Sequence, residues 1–310
     1  MKTAVVTGGS GFIGSHLCQV LLEEGSKVIA VDSLVTGSRA NISGLLGNEN
    51  FSFIEHDITV PLEIDSGVDR VYNLASPASP IDFPRIPLEI LAVNSLGTKN
   101  MLELALEKKA RLLEASTSEV YGQPLEHPQR EAYFGNVNTI GERSCYDEGK
   151  RFAEALVSAY ARAKKSDVRV ARIFNTYGPR MRKNDGRVVP NFIMQALQNK
   201  PITVYGNGKQ TRSFCFVSDL VSGLMKLMES NYTKPVNLGN PSETTVLELA
   251  EKVKEIAGSS SRIAFKELPE DDPTRRKPDI SVALRELNWK PKVKLDSGLE
   301  KTIEWFKAGN

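Results

Sequence analysis

Short apolar runs alternate with longer amphipathic stretches through the first half of the chain. Residues 4–6, 28–31, 51–54, 71–74, 111–115 and 168–171 are rich in Val, Ile, Leu, Phe and Ala and read as buried strands. Between them, residues 13–24, 89–109 and 142–163 repeat their apolar positions at helical spacing. Strand and helix in alternation imply right-handed crossovers, and hence an α/β fold: a doubly wound parallel sheet of the Rossmann type.

The rhythm changes beyond Asn175. Residues 175–180 form a turn-rich loop, and residues 188–198 a helix. Residues 214–217 and 235–238 are short extended runs that can return to the main sheet. From about Ser242 the pattern is that of a smaller mixed lobe, which closes on an amphipathic stretch over 299–306. The expected division is residues 1–174 with about 211–239 as the dinucleotide-binding domain, and about 175–210 with 240–310 as a substrate lobe.

Composition narrows the function classes. With 310 residues, 40% hydrophobic and 25% charged, the chain can bury a sizeable core. A net charge of +2 points to neither nucleic acid nor an anionic membrane as partner. Cys18, Cys145 and Cys215 lack metal-ligand spacing and read as reduced thiols, and His16, His56 and His127 form no metal cluster, so no metal is expected. No apolar run is long enough to span a bilayer, and the first strand pattern leaves no room for a signal peptide. The expected location is the cytoplasm.

Two segments carry candidate chemistry. The first is Thr7-Gly8-Gly9-Ser10-Gly11-Phe12-Ile13-Gly14, between the first strand and first helix. Gly8, Gly11 and Gly14 would permit the tight turn and a close backbone approach to a pyrophosphate lying on the amides of the helix N-terminus. Asp32 ends the second strand, where a carboxylate grips ribose hydroxyls and repels a 2′-phosphate, so NAD is expected rather than NADP. Asp57 and Ile58, after the third strand, are candidate adenine contacts, and Leu74 and Ala75 follow the fourth strand beside the expected crevice.

The second segment holds Tyr146 and Lys150, four residues apart and so on one face of a helix. A neighbouring ammonium and a positive nicotinamide ring would favour tyrosinate and make the phenol a usable base. Thr117, at the end of the fifth strand, can hydrogen-bond a substrate hydroxyl. If strand alternation continues past that end, Glu119 faces the same site. Helix capping or turn formation is the competing explanation for a Ser/Thr at a strand end.

The chain resembles the extended short-chain dehydrogenase/reductase family, and within it the UDP-glucuronate decarboxylases. The resemblance rests on residues 73–83 (NLASPASPIDF), 116–122 (STSEVYG), 141–151 (GERSCYDEGKR), 172–181 (RIFNTYGPRM), 184–189 (NDGRVV), 208–214 (GKQTRSF) and 276–280 (RKPDI). Phe134 stands where that pattern leads one to expect tryptophan. The resemblance implies Tyr146 as base, Lys150 as its activator and ribose clamp, Thr117 as hydroxyl partner, and Glu119 and Arg276 acting around the sugar carboxylate and C5. It also implies Asn175, Arg187, Tyr205, Arg212 and Arg276 as contacts to a UDP-sugar, and a homodimer through the helices that contain Glu89 and Glu142. A 4,6-dehydratase would carry an Asp-Glu pair where Ser118-Glu119 stands, and a 4-epimerase needs no glutamate there. Release of a 4-keto-pentose and a non-catalytic NAD-binding scaffold are further alternatives.

Overall fold

The structure is a computed structural model that describes residues 1–267 and 275–309. The first half contains β1 (Thr3–Thr7), α1 (Phe12–Glu23), β2 (Lys27–Asp32), β3 (Phe51–Glu55), β4 (Arg70–Asn73), α2 (Pro87–Ala92), α3 (Thr98–Lys108), β5 (Arg111–Thr117), α4 (Ser144–Lys164) and β6 (Val168–Ile173). There follow β7 (Thr176–Tyr177), α5 (Val188–Leu197), β8 (Ile202–Tyr205), β9 (Thr211–Ser213), β10 (Cys215–Phe216), α6 (Val217–Glu229) and β11 (Val236–Leu238). The chain continues through β12 (Glu243–Thr245), α7 (Val246–Ala257), β13 (Ile263–Lys266), β14 (Arg275–Arg276), α8 (Ser281–Leu287) and α9 (Leu295–Lys307).

Seven strands form one sheet in the order β11-β6-β5-β4-β1-β2-β3, and every pairing in it is parallel. Alternating side chains feed two cores. Val5, Ile29, Val71 and Leu112 face the layer of α3 and α4, with Met101, Leu102 and Val157. Their neighbours Ala4, Val6, Val28, Ala30, Tyr72 and Leu113 face the layer of α1 and α6, with Leu17, Leu21, Leu220 and Leu224. A period of two along each strand, buried on both faces, gives the near-continuous apolar runs seen in the sequence. The strand order reverses between β1 and β4, which opens a crevice at their carboxyl ends.

Two sequence expectations change. The helix expected over 89–109 is broken: Val93–Gly97 form a π-turn between α2 and α3. That turn buries Asn94, whose Nδ2 donates to Ser76 Oγ (3.0 Å) and to Ile90 O (2.8 Å). The run 214–217 does not return to the main sheet. Cys215 and Phe216 pair in parallel with Thr176 and Tyr177, and Val217 already opens α6, because its apolar residues recur at helical spacing. Residues 235–238 do return, as β11 pairs with β6.

In the smaller region β13 pairs with β8, while β12 and β14 flank β9. Helix α7 carries a reciprocal cap: Glu248 N donates to Thr245 Oγ1 (3.1 Å) and Thr245 N to Glu248 Oε2 (2.8 Å). Leu299, Ile303 and Phe306 of α9 are buried, as the amphipathic pattern over 299–306 implied. Among the described residues no helix is long and apolar enough to cross a membrane.

Candidate active site

A cavity of about 590 Å³ runs from the carboxyl ends of β1, β2 and β4 to the small region. At one end no side chain caps the first turn of α1, because Gly11 at its N-cap has none to offer, and that turn presents its amides to the cavity. Gly8 has φ +65°, and a Cβ there would lie 2.9 Å from Leu74 O. A Cβ on Gly14 would lie 2.1 Å from Gly8 O, so the helix can approach the turn this closely only with glycine. Asp32 closes β2, buried, where Oδ2 accepts from Ser10 N (3.0 Å) and Oδ1 from Leu34 N (2.8 Å). Phe12, Ile13, Asp57, Ile58, Leu74 and Ala75 line the same end. Close backbone approach, open amides and a strand-end carboxylate fit a dinucleotide, and these residues would hold it.

Deeper in the cavity Thr117, Tyr146 and Lys150 converge. Thr117 stands by the Tyr146 phenol and favours its ionised form, less strongly than burial opposes it, and Phe83 stacks on the ring at 5.2 Å between centroids. Burial pushes the phenol above its ordinary value, and Glu119 and Asp147 add to this, so the ligand-free pocket favours protonated Tyr146. The Lys150 ammonium is turned to Glu114 Oε1 (3.1 Å), a partner the sequence reading did not anticipate.

Glu119 reaches the cavity by a different route from the one expected. Strand β5 ends at Thr117, and Ser118–Tyr121 form a 3₁₀ turn capped by Thr117, whose Oγ1 accepts from Glu119 N (3.2 Å). Capping and substrate-facing geometry therefore coexist at Thr117, and the turn, not strand alternation, aims Glu119. Its Oε2 accepts from Arg143 Nη2 (2.7 Å) and Arg276 Nη2 (3.1 Å), while Arg276 Nη1 donates to Ser118 O (2.8 Å). Burial alone would raise Glu119, but Arg276 and Arg143, with Arg212 beyond them, hold it at about 2. Three arginines around one carboxylate leave positive charge in excess, which suits an anionic ligand. Next to this cluster, burial and the charge of Glu119 push Asp147 up to about 7.

Asn175, Arg187, Tyr205 and Arg212 line the far end of the cavity. Arg187 is held by both carboxylate oxygens of Asp185, with Nη2 to Oδ2 at 2.8 Å. Arg212 Nη1 donates to Thr211 O (2.9 Å), and Tyr205 is exposed at the end of β8. All the candidates thus meet in one cavity. Arg143, Phe83 and Glu114 were missed as individual residues; the signal for Glu114 was a charged residue inside an otherwise apolar strand, which demands a partner. Among the described residues no group of His, Cys, Asp and Glu could hold a metal ion.

The sequence profile of the NAD dependent epimerase/dehydratase family matches residues 4–239. The chain belongs to that family. It is 54% identical over 306 residues to "UDP-glucuronic acid decarboxylase 1" of Xenopus tropicalis, covering 99% of this chain and 72% of that protein. The protein of the same name from Arabidopsis thaliana is also 54% identical, over 98% of this chain and 69% of the relative. Among solved structures, UDP-glucose 4-epimerase of Thermotoga maritima superposes with a TM-score of 0.90 at 29% identity, covering 99% of each chain. UDP-glucuronic acid 4-epimerase of Bacillus cereus, solved with UDP-glucuronic acid and NAD, gives 0.89 at 29% identity, over 99% of this chain and 100% of that one.

Proposed function

We propose that the chain converts UDP-glucuronic acid to UDP-xylose through a 4-keto intermediate, with NAD reduced and reoxidised within one cycle. Relatives bearing the decarboxylase name support the reaction across nearly the whole length of the chain. The observation in the site that carries the reading is the Glu119 carboxylate clamped between Arg143 and Arg276, in the cavity that also holds Thr117, Tyr146 and Lys150.

Gly8, Gly11, Gly14 and Asp32 would hold NAD, which would supply a hydride acceptor for C4 of the sugar and a positive charge that favours tyrosinate. The chain's own residues manage the protons. Tyr146, steadied by Thr117, takes the proton of the C4 hydroxyl. The resulting ketone stands β to the sugar carboxylate, so loss of carbon dioxide leaves electrons that delocalise into the ketone as an enolate. Protonated Tyr146, the state the buried pocket favours, then donates to the enolate oxygen together with Thr117. Glu119 and Arg276 act at C5 and the departing carboxylate, and Asn175, Arg187, Tyr205 and Arg212 hold the UDP moiety, where the planar guanidinium forks suit a diphosphate.

Residues 1–174 with about 211–239 serve the cofactor, and about 175–210 with 240–310 serve the nucleotide sugar. A homodimer through α2 and α4 is supported by the exposed side chains of Leu88, Leu91, Leu96 and Phe152. Free, buried Cys18, Cys145 and Cys215 support a reducing, cytoplasmic setting. Proton NMR of the purified protein with UDP-glucuronic acid and no added cofactor tests the function. UDP-xylose is the expected product. Unchanged substrate with NAD supplied would overturn the reading, and a 4-keto-pentose with NADH would mean that hydride is not returned.

A further inference from the structure

Strand β5 lies in the middle of the sheet, yet it carries a carboxylate at Glu114 that is wholly shielded from solvent. A lone charge there would be strongly destabilising, so the side chain must be matched by donors. It is matched on both oxygens. Oε1 accepts from Lys150 Nζ (3.1 Å), and Oε2 from Asn73 Nδ2 (2.6 Å). Asn73 Oδ1 in turn accepts from Thr7 Oγ1 (2.7 Å), and the same Thr7 oxygen accepts from Leu74 N (3.1 Å) and Ala75 N (3.2 Å).

The chain of bonds runs from Lys150 on α4, through β5 and β4, to the last residue of β1. Its ends are the lysine that lines the catalytic end of the cavity and the backbone that lines the dinucleotide end. Nothing in the fold requires a carboxylate at Glu114 for packing; its strand neighbours Leu112 and Leu113 fill both cores with carbon. A lysine has a flexible four-carbon stem and three donors, so a fixed acceptor beneath it decides where the ammonium stands.

We propose that Glu114 is a positioning residue: it fixes the Lys150 ammonium and ties it, through Asn73 and Thr7, to the backbone that receives the cofactor. The inference rests on the decarboxylase reading for its activity assay but not for its binding assay. Glu114→Gln keeps the shape and an acceptor but removes the charge. The expected result is a fall in kcat of about tenfold or more, with KM for UDP-glucuronic acid little changed, and a weaker Kd for NAD titrated into cofactor-stripped protein.

The deciding measurement is a double-mutant cycle with Lys150→Met. If Glu114 acts through Lys150, Glu114→Gln adds no further loss of NAD affinity or of rate in the Lys150→Met background. Equal losses in both backgrounds, or a single variant with wild-type kcat and NAD affinity, would overturn the proposal. Should Glu114→Gln fail to fold, Asn73→Ser removes the 2.6 Å bond on the other oxygen and is read in the same cycle. A wild-type protein inactive on UDP-glucuronic acid defeats the decarboxylase reading alone, because the NAD titrations still decide the role of Glu114.

Discussion

Asp147 gives a quantitative test of the electrostatics around Tyr146. The carboxyl is buried, its Oδ1 has no hydrogen-bond partner, and burial together with the Glu119 charge raises it from 3.8 to about 7. Between those two values the folded chain holds a proton that the unfolded chain has released, so stability falls as pH rises through this window. At about 1.4 kcal/mol per pH unit, the full difference of about three units amounts to roughly 4 kcal/mol. From about pH 5 to about pH 8 some two of those units are traversed, and relaxation of the neighbouring arginines reduces the effect to about 1–3 kcal/mol. Asp147→Asn does not titrate. Its stability relative to wild type, from urea unfolding at the two pH values, should therefore improve by that amount at the higher one. The change with pH is the informative quantity, since the amide adds an offset of its own at every pH. In a Glu119→Gln background the gain should shrink, because the charge that helps hold the proton on Asp147 is gone. A stability difference independent of pH would refute the argument.

Three further outcomes follow from the geometry. Tyr146→Phe should lower kcat by about two to four orders of magnitude while calorimetric titration shows UDP binding intact, since only the proton-transferring hydroxyl is lost. Gly14→Ala should abolish or strongly weaken NAD binding in a fluorescence titration, because its methyl would lie 2.1 Å from Gly8 O. Glu154→Gln breaks a bidentate pair with Arg172 (Nε to Oε1 2.9 Å, Nη2 to Oε2 2.7 Å) that is almost shielded from solvent. It should cost about 3–5 kcal/mol in denaturant unfolding, as the arginine is left without its counter-charge.

Much of this protein was determined locally and could be read along the chain. The buried strands of a parallel sheet announce themselves because both faces are covered, so apolar residues run on without interruption through 4–6, 28–31 and 71–74. The glycine turn and Asp32 could be placed because their chemistry depends on adjacency to a strand end, which is a local property. Tyr146 and Lys150 needed only the helical repeat.

What the sequence left open is what tertiary structure decides. The π-turn at Val93–Gly97 interrupts a continuous helical pattern so that Asn94 can reach Ser76, a contact no periodicity encodes. The start of helix α6 was hidden because its first residue, Val217, reads as one extended run with Cys215 and Phe216, and the pairing of those two with Thr176 and Tyr177 ends the run. Glu119 faces the cavity because a 3₁₀ turn replaces the strand at Ser118, and its charge state is set by Arg143 and Arg276, 24 and 157 residues away in sequence. Lys150 meets Glu114 only because α4 packs across β5. Local sequence specifies which groups a turn or helix presents together; Coulomb interaction and desolvation depend on distance in space, so partners remote along the chain determine what those groups can do.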